Sequence, residues 1–238
     1  MHRLPGHDGA VVTVTLSRPE RHNAQTPATW LGLREVGRRL DRDVRVVIVR
    51  GAGPSFSSGL DRAVMAAGLD AGEAEITAFQ EGFSWLGRPD LISVAAVQGY
   101  ALGAGCQLAL ACDLRVLSED AQLALPEPSL GIVPDLGGTH PLVRAVGYSL
   151  ALEICLTGRR IGAAEAFRIG LANVVVPDDQ LDSAVLDLVA AVLGPVRGAA
   201  TETKALLAAA LRQDVEEQRA AERAAQVRRL AALRGAAG

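Results

Sequence analysis

Two short apolar runs, Val44 to Val49 (VRVVIV) and Leu91 to Val97 (LISVAAV), are each closed by a glycine, Gly51 and Gly99. Runs this short, with so little polar interruption and a turn residue at the end, suit strands buried on both faces of a sheet. Such a sheet needs helices over it, and helical stretches lie at Pro27 to Leu40, about Ala63 to Leu86, and Ala104 to Ala111. Ala10 to Leu16 alternates apolar residues with Thr and reads as a half-exposed strand, while Leu114 to Leu117 is a third buried run. After Gly137 the pattern is mostly helical, with one more strand at Asn173 to Val176 before Pro177. Gln180 to Leu233 carries no strand signal and reads as two or three Ala-rich helices. The expected architecture is therefore an α/β core over residues 1–177 with a helical C-terminal region over 178–238.

Composition narrows the function classes. A net charge of −3 gives no electrostatic reason to expect nucleic acid. The arginines between Arg212 and Arg229 alternate with Glu216, Glu217 and Glu222, as on a solvated helix face. Three cysteines without a CxxC pair argue against a disulfide framework or a zinc site and lead us to expect a reducing, cytoplasmic setting. The start, MHRLPGHDGA, has no apolar core of a signal peptide, and the longest mostly apolar stretch, Tyr100 to Cys112, is too short to span a bilayer. With only 2 Trp, 2 Tyr and 4 Phe against 25 Gly, the core must pack through small side chains, which leaves backbone groups free to carry function.

The familiar glycine motifs fail. Gly51-Ala-Gly53 is followed by Phe56 and Gly103-Ala-Gly105 by Leu108 where GxGxxG needs a third glycine, and there is no GxSxG nucleophile elbow. His22 and His140 are too scattered to form a metal site. What remains are two glycine-rich turns after strands, Phe56-Ser57-Ser58-Gly59-Leu60-Asp61 and Gly99-Tyr100-Ala101-Leu102-Gly103-Ala104-Gly105-Cys106-Gln107, the second opening a helix. Small residues let backbone approach a ligand closely, and a helix start has unpaired N–H groups. Two such groups on one oxygen would stabilise an enolate; alternatively, the glycines serve tight turns alone.

In order and spacing these turns resemble the enoyl-CoA hydratase/isomerase (crotonase) superfamily. The resemblance begins at Arg18-Pro19-Glu20-Arg21-His22-Asn23-Ala24, similar to the family's RPxxxNA. It runs through both turns, Cys112-Asp113, Pro126-Glu127, Gly131-Ile132-Val133-Pro134-Asp135-Leu136-Gly137-Gly138-Thr139, Thr157-Gly158-Arg159 and Ala163-Ala164-Glu165-Ala166 to Gly170-Leu171. It implies the ClpP/crotonase fold, repeated ββα units forming packed sheets, with a helical trimerisation region and assembly as a homotrimer or dimer of trimers. It also implies an acyl-CoA thioester substrate whose carbonyl lies between the N–H groups of Leu60 and Ala104, with CoA as part of the substrate and no separate cofactor; the charge, the short apolar stretch and the scattered Cys and His lead us to expect no nucleic acid, membrane or metal. The same resemblance puts Arg21 and His22 near CoA, although Arg21 also reads as a solvated loop charge. Ala24, Ser57, Ser58, Gly59, Asp61 and Gly103 would line the substrate site.

Hydratases of the family use two carboxylates twenty residues apart, and here those positions hold Gln107 and Glu127. Gln exchanges no proton at neutral pH and only orients what it bonds. One carboxylate suffices to move a proton between two carbons, so double-bond isomerisation of an enoyl- or dienoyl-CoA is the first expectation, hydration of a 2-enoyl-CoA the second, and a catalytically quiet acyl-CoA binder the third. Asp135, where many members have Gly, is similar to an acidic residue of the family's dienoyl-CoA and ring-opening isomerases; it also reads as the N-cap of the next helix. The family commonly continues past the Arg212 to Leu233 helix with a basic, aromatic segment, so the end at Gly238 leads us to expect a more open site.

Overall fold

The computed structural model describes residues 2–3, 9–68 and 70–236. The readings of a leader from Met1 and residues 4–8, and of the chain end from Ala237-Gly238, lie outside the described residues. The strands are β1 (His2–Arg3), β2 (Val11–Leu16), β3 (Val46–Gly51), β4 (Ile92–Val97), β5 (Tyr100–Leu102), β6 (Leu114–Ser118), β7 (Gln122–Ala124), β8 (Ile161–Gly162) and β9 (Val174–Val176). The helices are α1 (Pro27–Arg38), α2 (Arg62–Ala67), α3 (Glu73–Ser84), α4 (Ala104–Ala111), α5 (Thr139–Val146), α6 (Tyr148–Thr157), α7 (Ala163–Arg168), α8 (Leu181–Leu193), α9 (Arg197–Ala209) and α10 (Val215–Ala236).

A six-stranded sheet in the order β1-β2-β3-β4-β6-β9 is parallel except for β1. Its two faces follow from the period-2 pattern of side chains. Val12, Val47, Val49, Ala95, Val97 and Leu117 face a core shared with α1, α3 and α4. Val11, Val46, Ile48, Val94, Ala96 and Val116 face Leu181, Val185 and Val189, the i, i+4, i+8 stripe of α8. The consecutive apolar residues of each run are thus consumed by both faces, as expected for a covered parallel sheet. The boundary expected at 177/178 falls before α8, which completes the second face of the sheet. α9 is tied to the same body by Lys204, whose Nζ donates to Leu91 O at 2.8 Å and to Asp113 Oδ2 at 2.7 Å.

After each inner strand the chain steps into a second layer. β4 continues into β5 and β6 into β7, which pair in parallel in a small sheet completed by antiparallel β8. After β3 the step is made by single residues, Ser57 bridging Ala101 and Leu60 bridging Gln25. These second-layer strands are three residues or fewer, too short for any periodicity, and the sequence reading missed them. One expected helix, Ala63 to Leu86, is two. Gly68 (φ +76°) ends α2 with its N–H on Met65 O, and α3 starts anew where Gly72 N donates to Glu75 Oε2 at 3.0 Å.

The central element is α4. Residues 104–110 are all buried and, apart from Gln107, apolar or glycine. At its C-terminus the buried Arg115 guanidinium donates to Cys112 O at 2.8 Å and from Nε to Leu171 O at 2.6 Å, a cation where the helix dipole favours one. Near its N-terminus Gly105 lies against the backbone of Ser57: a Cβ there would be 2.8 Å from Ser57 Cβ and nearer still to Ser57 O.

Gly105→Ala therefore tests the close approach. Alanine gains about 1 kcal/mol of helix propensity, but the clash with a backbone carbonyl costs roughly 1–3 kcal/mol, so the net expectation is a lowered Tm. Gly32→Ala in α1, where a Cβ meets nothing within 4 Å, is expected to raise Tm. Thermal melts of both variants check the pair; a Gly105→Ala protein as stable as Gly32→Ala would contradict the packing described.

Candidate functional site

The two N–H groups expected to hold an oxyanion are brought to one cavity. The Gln25–Leu60 bridge is built from Gln25 N donating to Gly59 O at 2.7 Å and Asp61 N donating to Gln25 O at 2.8 Å. It leaves the intervening Leu60 N–H out of the ladder, on the side away from Gln25. Ala104 is the first residue of α4, where an N–H has no intrahelical partner. The segments meet at Gly59 (φ +88°), where a Cβ would be 2.5 Å from Leu102 O and 3.5 Å from Ala104 N. Only glycine fits that conformation and that gap. Gly103 (φ +49°) turns the chain into α4, and a Cβ on it would be 3.5 Å from Glu127 Oε1, so the amide turn and the carboxylate are neighbours.

Glu127 opens a short 3₁₀ turn, Glu127–Leu130, between Pro126 and Pro128, and only 5% of it is exposed. Gln107 Nε2 donates to its Oε1 at 2.8 Å, while Oε2 is buried with no protein partner. Burial pushes the carboxyl above the ordinary glutamate value; the negative charge of Asp135 adds to the rise and the Gln107 hydrogen bond opposes it. Gln107 Oε1 accepts from Leu136 N at 2.9 Å and Gly138 N at 3.2 Å, so one amide links α4, Glu127 and the 135–138 loop. Asp135 lines the same cavity, and burial raises its carboxyl too. The alternative N-cap reading of Asp135 is corrected: the cap of α5 is Gly138, without a side-chain cap bond, because the helix begins beyond the loop that Gln107 pins.

The cavity holds about 1490 Å³. Arg21, His22, Ala24, Ser58, Gly59, Leu60, Asp61, Gly103, Ala104, Gln107, Glu127 and Asp135 all line it. Ser57 does not, which corrects its expected contact with substrate. It is wholly buried behind the wall, its hydroxyl donating to Asn23 O at 2.8 Å and accepting from Gln25 Nε2 at 3.0 Å. Asp61 lines the cavity with its charge already engaged, capping α2 through Ala63 N and pairing with Arg18 at 3.0 Å. Those bonds hold its carboxyl below the usual range.

The RPxxxNA segment frames the opening. His22 and Asn23 both take left-handed backbone (φ 48° and 53°). The buried Asn23 side chain accepts from Arg18 N and donates to Ala52 O and Ser55 O at 2.7–2.9 Å, clamping the loop to the end of β3. Beside it Arg160 stacks 4.9 Å over the Tyr100 ring, with His22 against the same ring at 5.8 Å. Arg160 and Tyr100 line the cavity and were given no role from sequence, although Tyr100 lies within the second glycine-rich turn and Arg160 directly follows Thr157-Gly158-Arg159. Met65, Ile76, Leu130, Ile132 and Val133 add an apolar wall that was also missed; nothing in their local pattern separates a cavity wall from core.

Residues 6–233 match the family model for enoyl-CoA hydratase/isomerase. Over 183 residues the chain is 38% identical to the "Probable enoyl-CoA hydratase" of Rhizobium meliloti (strain 1021), covering 74% of this chain and 70% of that one. Over 206 residues it is 36% identical to the "Crotonyl-CoA hydratase" of Syntrophomonas wolfei subsp. wolfei, covering 84% and 79%. A crystal structure of a candidate enoyl-CoA hydratase from Thermobifida fusca YX, in complex with CoA, superposes with TM-score 0.91 at 49% identity, covering 95% of this chain and 91% of that one; the same protein is also known in complex with acetoacetyl-CoA. Matched by the family model over residues 6–233 and by a solved structure over 95% of its length, the chain has the crotonase fold and belongs to the enoyl-CoA hydratase/isomerase family.

Proposed function

We propose that the protein adds water across the C2=C3 bond of a 2-enoyl-CoA thioester, and removes it in reverse. The observation that carries this reading is the buried Glu127 carboxylate beside the Gly103-Ala104 amide turn, with its Oε2 left without a protein partner. The N–H groups of Leu60 and Ala104 donate to the thioester oxygen and take up its charge as the enolate forms. Glu127 Oε2 accepts a proton from water as the water oxygen bonds to C3, and returns a proton to C2 as the enolate collapses. One proton-exchanging carboxylate completes the cycle, so glutamine at position 107 is compatible with hydration, contrary to the sequence expectation. The CoA and acetoacetyl-CoA complexes of the Thermobifida fusca relative support a CoA thioester as the ligand, and the hydratase names of the relatives move hydration ahead of isomerisation.

Isomerisation stands as the second reading because Asp135 and Glu127 line one cavity. Two carboxylates there could take a proton from one carbon of a 3-enoyl- or dienoyl-CoA and return it to another. Assembly as a homotrimer or dimer of trimers belongs to the same proposal; its support is the exposed apolar Leu207, Leu211, Val227, Leu230 and Leu233 on α9, α10 and the turn between them.

Crotonyl-CoA hydration, followed by loss of the enoyl thioester absorbance, should fall on the order of a hundredfold or more in Glu127→Gln. Turnover unchanged by that substitution would reject the assignment, and binding without turnover by the wild type would favour the quiet binder. Incubating a 3-enoyl-CoA in D2O separates the second reading: conjugation of the double bond that is faster than hydration, and lost in Asp135→Asn, would put isomerisation first.

The pH profile has a defined sign. The ionised form of Glu127 is the base, and burial and Asp135 both raise its pKa, so hydration should fall as pH drops through a value above the ordinary glutamate range. Asp135→Asn removes one of the two causes, and its acid limb is expected at lower pH than in the wild type. A limb that stays put would mean that the two carboxylates do not sense each other.

A further inference from the structure

The atoms of the Gln107 amide are assigned by the backbone around it. Leu136 N and Gly138 N both donate to one atom, which must be the oxygen. The other atom, 2.8 Å from Glu127 Oε1, is therefore the NH2 group, which only donates. The amide cannot flip without setting NH2 against two backbone N–H groups in the most buried helix of the fold. Glu127 Oε1 is thus always an acceptor.

We propose that Gln107 is a positioning residue that confines proton exchange at Glu127 to Oε2, the oxygen left without a protein partner. The inference rests on the proposed base role of Glu127 for its catalytic meaning but not for its geometry. A carboxylate at position 107 would still accept from Leu136 N and Gly138 N through one oxygen. Its other oxygen would then face Glu127 Oε1, and two acceptors at that distance are compatible only if a proton lies between them. That proton would belong to the pair, and either glutamate could release it. With glutamine that ambiguity disappears: of the residues at 107 and 127 only Glu127 titrates.

The other titratable groups around Glu127 do not supply this control. Asp135 faces it from the 135–138 loop and repels its charge. Cys106 of α4 and Cys155 of α6 sense its charge, and burial keeps both thiols protonated. Glu20, Arg21, His22, Asp61, Arg62 and Arg160 in the cavity lining are common to wild type and variant.

The test is a carboxyl carbon-13 NMR titration of the full-length protein labelled at glutamate Cδ, with the Glu127 signal assigned by its loss in Glu127→Gln. The wild type should give a single titration step for Glu127. Gln107→Glu should give two coupled steps, the upper one about one pH unit or more above that of the wild type, and the acid limb of crotonyl-CoA hydration should move with it. Gln107→Leu, which removes donor and acceptor together, should also move the Glu127 step upward, since one of the two hydrogen bonds that oppose burial is then lost, but without a second step. The amide signals of Leu136 and Gly138 report whether each variant retains its fold. A Gln107→Glu protein in which Glu127 titrates in one step at the wild-type pH overturns the proposal. The NMR shift without hydration by the wild type would overturn the proposed function and leave the role of Gln107 standing.

Discussion

A helix buried on every side satisfies its own backbone except at its ends, and the site described here is built on one such end. α4 carries no polar side chain but Gln107, so it has no solvated face on which to rest and is fixed by packing against both layers. Its C-terminal carbonyls are met by Arg115. Its first N–H is left pointing where the chain from β3 passes, held close by Gly59 and Gly105. Filling either glycine would push that chain away and separate the amides of Leu60 and Ala104. The dependence is strict because both obstructing atoms are backbone carbonyl oxygens, which cannot change rotamer to make room.

The same economy governs the polar groups. A buried amide must be satisfied or it costs roughly 1–3 kcal/mol, and Gln107 meets this condition by bonding Glu127 and the backbone of Leu136 and Gly138. Satisfying one side chain thus fixes the carboxylate and the second acidic loop relative to the amide turn. At the opening, Asn23 acts in a similar way, and its left-handed backbone is tolerated because short amide side chains bond locally in that conformation. Neither residue needs to touch a ligand in order to shape what a ligand meets.

The main sheet was legible because each inner strand is a run long enough to show that both faces are covered. α4 was legible because a glycine turn marks its start. The second layer was not, since β5, β7 and β8 owe their existence to registration against neighbours rather than to any pattern within two or three residues. Gly68 and Gly72 could each have been tolerated inside a helix and gave no clear sign that α2 and α3 separate. Within the cavity, the spacing of Gln107 and Glu127 picked out two side chains that the fold brings into hydrogen-bond contact. What spacing could not convey was direction: the same glutamine reads as a poor substitute for an acid until the two backbone donors on its oxygen are seen. Ser57 shows the reverse error, a residue of the right motif whose side chain is turned to the wall.

Hydration and isomerisation of enoyl thioesters pass through the same kind of enolate, and the amide pair serves both. They differ in what gives and receives the proton. Proton exchange at one carboxylate suits hydration, in which a small nucleophile is deprotonated and the adjacent carbon is then protonated. A second carboxylate becomes useful when the proton must be delivered farther along the chain, and Asp135, whose pKa burial raises, lines the same cavity. In the proposed scheme the balance between the two reactions depends on how Glu127 and Asp135 compete for protons across one cavity. The Gln107 hydrogen bond favours the ionised form of Glu127, and the charge of Asp135 opposes it.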